Sequence, residues 1–160
     1  MPGHSMCMII DGAEQSLHCA PRFNGLAPTR DGCKLKITGA ILHGHRATVF
    51  VSAPHLPTGA NLTCTLIDHV LNDNTTLPPH FRLQVDGASD NWSLVVFAHL
   101  EALVRHRAFL SARAARNTVG FTHDDIDAFF ALLKGALEAI DVLSYEEFCD
   151  AIRKATETFK

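Results

Sequence analysis

The chain has 160 residues, of which 47% are hydrophobic and 19% are charged, so it is long enough to bury a core as one compact domain. It has no apolar run near the roughly 18 residues that cross a bilayer, and its N-terminus lacks the layout of a secretory signal, so we expect an intracellular protein, nuclear or cytoplasmic. The net charge of −3 argues against a domain that binds DNA unaided, because neutralising phosphates requires a basic excess.

The first part of the chain is predicted to form three strands. Residues 7–10 are a short apolar run that ends at Asp11-Gly12, which indicates a buried strand followed by a turn. Residues 20–33 are rich in Pro, Gly, Asn and Asp and are predicted to form a loop. Residues 35–42 and 47–53 are joined by a short glycine-containing link, which is typical of a hairpin.

Helices and strands alternate in the middle of the chain. From Asn61, apolar residues recur at helical spacing, and residues 81–85 then alternate between apolar and polar up to Asp86-Gly87. This pattern predicts a helix followed by a strand that ends at a carboxylate. Asn91 is predicted to cap the next helix, and residues 113–120 have weak strand character.

The last part of the chain is predicted to be helical. Thr122 would open a helix with an apolar face that includes Ile126, and Ser144 begins a capping box with Glu147 for a final amphipathic helix. A strand meander followed by alternating units predicts an α/β protein with a mixed five-stranded sheet flanked by helices. This is the element order of the three-layer RNase H-like fold, and we expect residues 1–160 to form a single domain of that kind.

Asp11 and Asp86 each directly follow a predicted strand. In an RNase H-like sheet these two strands are adjacent and parallel, so their carboxyl ends lie side by side, where open α/β sheets place their sites. Two neighbouring carboxylates repel unless a cation or a shared proton compensates, and Mg²⁺ and Mn²⁺ both prefer oxygen ligands. The pattern predicts a metal site at Asp11 and Asp86, although an aspartate before glycine is also typical of a simple turn.

A third carboxylate for a two-metal site would come from the start of the next-to-last helix. Thr122 and Asp125 have the spacing of a capping box, which explains Asp125 without a metal. At roughly 100° per residue, Asp124 points away from the apolar stripe, whereas Asp127 lies at its edge, one turn after His123. We therefore expect Asp127 to be the third ligand and His123 to orient it or contact a phosphate. Asp124 and Asp125 are secondary candidates, since acids at a helix start need no metal.

The remaining cysteines, histidines and arginines give weaker signals. The five cysteines form no CxxC pair, so neither a disulfide framework nor a zinc knuckle is expected. His43 and His45 would share a face if a strand continued through both, but no third ligand stands at a defined spacing. His99 falls on an apolar helix face, where a core histidine with a partner is expected. One basic cluster could meet a phosphate backbone or simply be a solvated helix end; it consists of Arg105, His106, Arg107, Arg113 and Arg116.

Three short motifs resemble those of a eukaryotic transposon-associated domain of unknown function. They are Ile10-Asp11-Gly12, Asp86 with Asn91 ahead of a helix, and Gly-Phe-Thr-His-Asp-Asp-Ile-Asp at 120–127. The last is the most specific, since the family usually has Gly-His-Thr-His-x-Asp-Ile-Asp there. The family looks like an integrase or DDE-transposase catalytic core. The resemblance spans about residues 7–155 and implies cleavage or strand transfer on DNA, with Asp11, Asp86 and Asp127 as catalytic ligands of Mg²⁺ or Mn²⁺.

The sequence departs from the family pattern at polar positions beside the carboxylates. Gly87 stands where the family usually has Asn, Asn91-Trp92-Ser93 replaces Asn-Lys-Asn, and Phe121 replaces the first histidine of the last motif. An inactive, transposon-derived binding or scaffold module is therefore the alternative to an active nuclease or polynucleotidyl transferase. Few residues precede the first strand, so we expect a fragment of a longer element protein that meets DNA through another domain or chain.

Overall fold

A computed structural model of the chain describes residues 5–13, 19–26, 32–53, 55–86, 88–89, 91–116 and 125–159. Its strands are β1 (Ser5–Gly12), β2 (Cys19–Ala20), β3 (Cys33–Lys34), β4 (Lys36–Leu42), β5 (Arg46–Ser52), β6 (His80–Val85) and β7 (Ser111–Arg116). Its helices are α1 (Ala60–Asn72), α2 (Leu94–Arg105), α3 (Asp125–Glu138) and α4 (Tyr145–Thr158). Across these described segments, no helix is both long and apolar enough to cross a membrane.

Five strands form one mixed sheet in the order β5-β4-β1-β6-β7. β1 is parallel to β6, which is parallel to β7. β4 runs antiparallel to β1, since the Ala13 amide donates to the Ile37 carbonyl (2.9 Å) and the His43 amide donates to the Cys7 carbonyl (3.0 Å). β4 and β5 are neighbours joined by a tight turn, as in a hairpin. Flanked by helices α1 to α4, this sheet confirms the predicted RNase H-like α/β fold.

The observed elements differ from the predicted ones in detail. The predicted loop over residues 20–33 carries parts of β2 and β3 at its ends, and these strands pair antiparallel. His43 and His45 lie in the turn between β4 and β5, so no strand continues through them. Thr122 and the predicted strand residues 117–120 lie outside the described residues.

By the density of its contacts the chain divides into two compact units. The first consists of Met1–Asp11, Ala40–Arg46 and Pro57–Thr122. Within this unit β6 alternates strictly between its two faces, because successive side chains of a strand point in opposite directions. Phe81 and Leu83 are fully buried, and the Phe81 ring stacks on Phe109 with centroids 5.0 Å apart. His80 and Arg82, on the other face of β6, are exposed.

The second unit consists of Gly12–Gly39, Ala47–Leu56 and His123–Lys160. Its core includes the buried faces of α3 and α4, among them Phe129 and Phe148. The predicted capping box of α4 is confirmed, since the Ser144 hydroxyl accepts a hydrogen bond from the Glu147 amide (3.2 Å). The Glu147 carboxylate in turn accepts from the Leu143 amide (2.7 Å), which fixes the entry into the helix.

Candidate functional site

Asp11 and Asp86 lie at the carboxyl ends of two adjacent parallel strands. Ile10 and Val85 are the last paired residues of the β1–β6 ladder, and the two aspartates are the next residues on their strands. The ends of neighbouring parallel strands lie at the same edge of a sheet, so both aspartates lie at one edge of this sheet. Both aspartates are half-buried. The predicted adjacency of the two strands is therefore confirmed.

The carboxylate of Asp86 is held by a chain of hydrogen bonds. Its Oδ1 accepts from Nδ2 of Asn91 (2.7 Å) and from the amide of Ala88 (3.2 Å). Oδ1 of Asn91 accepts in turn from the hydroxyl of Thr63 (2.7 Å), a buried residue of α1. Because Asn91 uses both ends of its amide, its orientation is fixed and so is that of the carboxylate. Both of these bonds, from described residues, use Oδ1.

Asn91 is not the cap of α2, so that prediction is wrong. Ser93 is the cap, and its hydroxyl accepts from the Val96 amide (3.4 Å). The backbone amide of Asn91 donates to the Ala88 carbonyl (3.1 Å), so Asn91 belongs to a turn that ends before the helix starts. Its side chain does not serve as a cap because it bridges Thr63 and Asp86.

Sequence reasoning missed Thr63, which completes the bridge to Asp86 through Asn91. A threonine within an apolar helix stripe is a weak signal, because its hydroxyl is usually satisfied by the preceding turn of its own helix. Thr65 behaves in that way, with its hydroxyl donating to the Asn61 carbonyl (2.9 Å). Only the tertiary structure shows that Thr63 donates to a loop instead.

The acids predicted to supply a third ligand belong to the second unit. Asp125 and Asp127 lie in the first turn of α3, and both are exposed, whereas Ile126 between them is buried. Asp127 was expected at the edge of the buried face, and its exposure does not distinguish it from Asp125. His123 and Asp124 lie outside the described residues. The assignment of Asp127 as a ligand stays a prediction.

The donor chemistry at the sheet edge fits a hard divalent cation. Asp11 and Asp86 supply carboxylate oxygens, which Mg²⁺ and Mn²⁺ prefer, and the Asp86 carboxylate is already oriented by Asn91. Among the residues that the structure describes, no three His, Cys, Asp or Glu side chains are grouped closely enough to hold a metal ion. The two aspartates would therefore need a further ligand or retained water molecules to complete a coordination shell.

The carboxylate of Asp68 on α1 lies outside this group and has a structural role. Its Oδ1 lies 2.9 Å from Nε2 of His99 on α2, which confirms that His99 is a histidine with its own partner. Burial, and secondarily the charge of Asp68, raises the pKa of the Cys64 thiol one turn earlier. This cluster joins α1 to α2.

Solved structures of Mos1 transposase have a similar fold. The chain aligns with the Mos1 strand transfer complex (TM-score 0.68, 12% identity) over 98% of its own length and 48% of the other chain. For the catalytic domain of Mos1 mariner transposase the TM-score is 0.66 with 11% identity, covering 96% and 71% of the two chains. The Mos1 paired-end complex with the left transposon end aligns with a TM-score of 0.68 and 13% identity, over 98% of this chain and 48% of the other chain. At such identities the likeness shows the fold alone, and the chain spans about half the length of the transposase in these complexes.

No curated protein sequence matches the chain. A family model described as a domain of unknown function, DUF7869, matches residues 28–160, which is most of the chain. The matched segment includes Asp86 and Asp127 but begins after Asp11. The chain therefore belongs to the DUF7869 family.

Proposed function

We propose that this chain is a transposase- or integrase-like catalytic core for phosphodiester cleavage or strand transfer on DNA. The observation that carries the proposal is that Asp11 and Asp86 directly follow the last paired residues of two adjacent parallel strands, with Asp86 oriented by Asn91. The fold shared with the Mos1 catalytic domain supports the same reaction class. DNA recognition would come largely from another part of a longer protein or from another chain.

Asp11, Asp86 and Asp127 are the proposed ligands of Mg²⁺ or Mn²⁺. Bound there, the metal would activate a water molecule or a 3′-hydroxyl and stabilise the leaving oxygen. The residues of the chain itself would position these groups. Asn91 orients the Asp86 carboxylate through Oδ1, and Thr63 keeps the Asn91 amide from rotating. Such support from neighbouring side chains is needed because a misplaced ligand weakens both binding and catalysis.

The second candidate function is an inactive binding or scaffold module that keeps the fold. Two observations favour it. The described residues group two carboxylates rather than three ligands at the sheet edge, and the hydrogen bonds from Asn91 and Ala88 stabilise the Asp86 carboxylate without a metal. The loss of polar companions at Gly87, Trp92 and Phe121 points the same way.

Metal-dependent thermal stability separates the two functions. If the site is retained, Mg²⁺ or Mn²⁺ stabilises the wild type by about 2.7 kcal/mol at a hundred times its dissociation constant, which raises Tm by several degrees. Asp86→Asn should abolish this rise, because it removes the charge while keeping an oxygen for Asn91. Asp11→Asn and Asp127→Asn should each reduce it.

Asp150→Asn is the matched control, since Asp150 is an exposed aspartate of α4 whose carboxylate lies beside Arg153 of the same helix. It should leave the metal-dependent rise in Tm unchanged. The second readout is nicking of supercoiled DNA in Mn²⁺ by the wild type and by Asp86→Asn. A wild type that neither gains stability with metal nor nicks DNA would establish the inactive module. Stabilisation without nicking would indicate a retained metal site in a chain that has lost catalysis.

A further inference from the structure

Two arginines stand side by side on one face of the sheet, away from the carboxylates. The parallel ladder between β6 and β7 pairs Arg82 with Arg113 and His80 with Ser111. Neighbouring strands lie about 4.8 Å apart, and residues two apart along a strand share a face. All four side chains therefore belong to one face, on the edge strand β7 and its neighbour. Arg82, Arg113 and His80 are exposed.

The charge of this arginine pair is not neutralised within the described structure. Other arginines lie near carboxylates: Arg22 near Glu138, Arg46 near Asp73, Arg105 near Glu101 and Arg153 near Asp150. No ion pair to Arg82 or Arg113 occurs among the residues that the structure describes. Like charges directly opposite each other on adjacent strands destabilise a sheet. An anion bound across the pair would remove that repulsion.

A cavity of about 290 Å³ beside these side chains is lined mainly by residues that can donate hydrogen bonds. It is lined by Ser5, His80, Phe81, Arg82, Ser111 and Arg113. Nδ1 of His80 lies 2.8 Å from the Ser111 hydroxyl, which holds the imidazole in place. Guanidinium groups bind phosphate oxygens through paired, charge-assisted hydrogen bonds, and hydroxyl groups add further donors. The lining therefore suits a phosphate group.

This cavity is distinct from the site at Asp11 and Asp86. Ser5, His80 and Ser111 are the first residues of β1, β6 and β7, whereas the aspartates follow the last residues of β1 and β6 in the ladder. Arg82 and Asp86 are four positions apart, which is about 13 Å along an extended strand. The cavity thus lies toward the opposite edge of the same sheet.

We propose that Arg82 and Arg113 bind a phosphodiester of a DNA backbone, with His80, Ser5 and Ser111 completing the site. Phosphate contacts fix the position of a protein on DNA without reading sequence, and they need only a local concentration of positive charge. The site does not depend on catalysis or on metal ions at Asp86. It gives this acidic chain a DNA contact of its own, in addition to any contact made by other domains.

Fluorescence anisotropy with a labelled DNA duplex tests the proposal on the whole chain without divalent metal. Arg82→Gln and Arg113→Gln should each weaken binding roughly 3- to 10-fold at low salt (about 0.6 to 1.4 kcal/mol), and they should lower the slope of log K against log salt by about 0.9 per lost phosphate contact. Arg46→Gln and Arg153→Gln remove the same charge from exposed arginines that already have carboxylate neighbours. Both controls should bind DNA like the wild type.

Inorganic phosphate supplies the second arm of the test. Competition by phosphate in the millimolar range, beyond that of chloride at equal ionic strength, supports a defined phosphate site. Protection of Tm by phosphate without any DNA binding would instead identify a site for free phosphate and overturn the proposal. The proposal would also be overturned if the control variants lost as much DNA affinity as Arg82→Gln and Arg113→Gln, or if these two variants bound DNA like the wild type. The assay contains no divalent metal, so its outcome does not depend on whether the metal site at Asp86 is retained.

Discussion

At the scale of single residues, the best-defined feature is the bridge from Thr63 through Asn91 to Asp86. Each member donates to the next, and the last acceptor is a carboxylate at the end of β6. A hydrogen bond to a charged group is worth more than one between neutral groups, and the gain depends on how well the donor is held. The strength of the hydrogen bond from Asn91 to Asp86 therefore depends on Thr63, which holds the Asn91 side chain and belongs to another element, α1.

We predict that Thr63→Val destabilises the protein by about 1 kcal/mol, because Asn91 Oδ1 loses its donor while the shape of the side chain is kept. Unfolding in urea measures this loss. If the metal site is retained, the metal-dependent rise in Tm should also shrink, since the Asn91 amide can then rotate. Thr65→Val on the same helix is the control, because its hydroxyl donates to its own helix at Asn61 and its removal should change stability little. Equal effects of the two substitutions would contradict the role given to Thr63.

Residue positions could be predicted from the sequence only where the local pattern determines them. Asp86 follows an alternating strand, so its place at a strand end was predictable. The role of Asn91 was not, because its position two residues before Ser93 resembles a helix start. Its partner Thr63 lies 28 residues away, and no spacing rule connects the two.

At the scale of secondary structure elements, one glycine determines how closely a strand and a helix of the second unit can approach. A Cβ atom on Gly39 of β4 would lie 2.9 Å from Cε1 of Phe130 and 3.2 Å from Cδ1 of Ile126, both on α3. These distances are shorter than normal contacts between carbon atoms. The glycine is therefore required for packing, while Gly135 of α3 has no neighbour within 4 Å of such an atom.

Replacing each of the two glycines with alanine should change the free energy of unfolding in opposite directions. Gly39→Ala should destabilise the protein by about 1 to 3 kcal/mol through overpacking against Phe130 and Ile126. Gly135→Ala should stabilise it by about 0.5 to 1 kcal/mol, because alanine restricts the unfolded chain and favours the helix. Denaturant unfolding of both variants measures the difference. A neutral or stabilising Gly39→Ala would mean that the ring of Phe130 moves aside without cost.

Element types were largely predictable because hydrophobic periodicity reflects which faces are buried. The alternation in residues 81–85 and the helical spacing of Ile126, Phe129 and Leu133 correspond to buried side chains in the structure. The strands β2 and β3 were not predicted, since two residues are too few to show a period. They pair across a segment whose composition is typical of a loop.

At the scale of the whole molecule, average charge is a poor guide to where an anion binds. The chain carries a net charge of −3, yet the register of β6 against β7 brings Arg82 and Arg113 together on one face. The basic cluster in the sequence included Arg113 but not Arg82, because the two are distant along the chain. Sheet register creates this pair, and register between distant strands follows from tertiary packing rather than from local pattern.

The expected single domain can be tested by unfolding, because the two compact units share strands. The chain passes from one unit to the other between Asp11 and Gly12 within β1, and between Gly39 and Ala40 within β4. Because β1 and β4 are each divided between the two units, we predict that the chain unfolds in one cooperative transition. Its only tryptophan, Trp92, lies in the first unit, and its only tyrosine, Tyr145, lies in the second.

These two side chains provide one probe for each unit. Tryptophan fluorescence and tyrosine absorbance should report the same midpoint in urea, and the calorimetric and van't Hoff enthalpies should agree. Far-UV circular dichroism, which reports all four described helices, should follow the same curve. If the Trp92 transition preceded or followed that of Tyr145, the units would unfold separately and the single-domain prediction would be wrong. Gly39→Ala adds a second test. Because Gly39 lies in β4, which both units share, the substitution should lower the Trp92 and Tyr145 midpoints by the same amount.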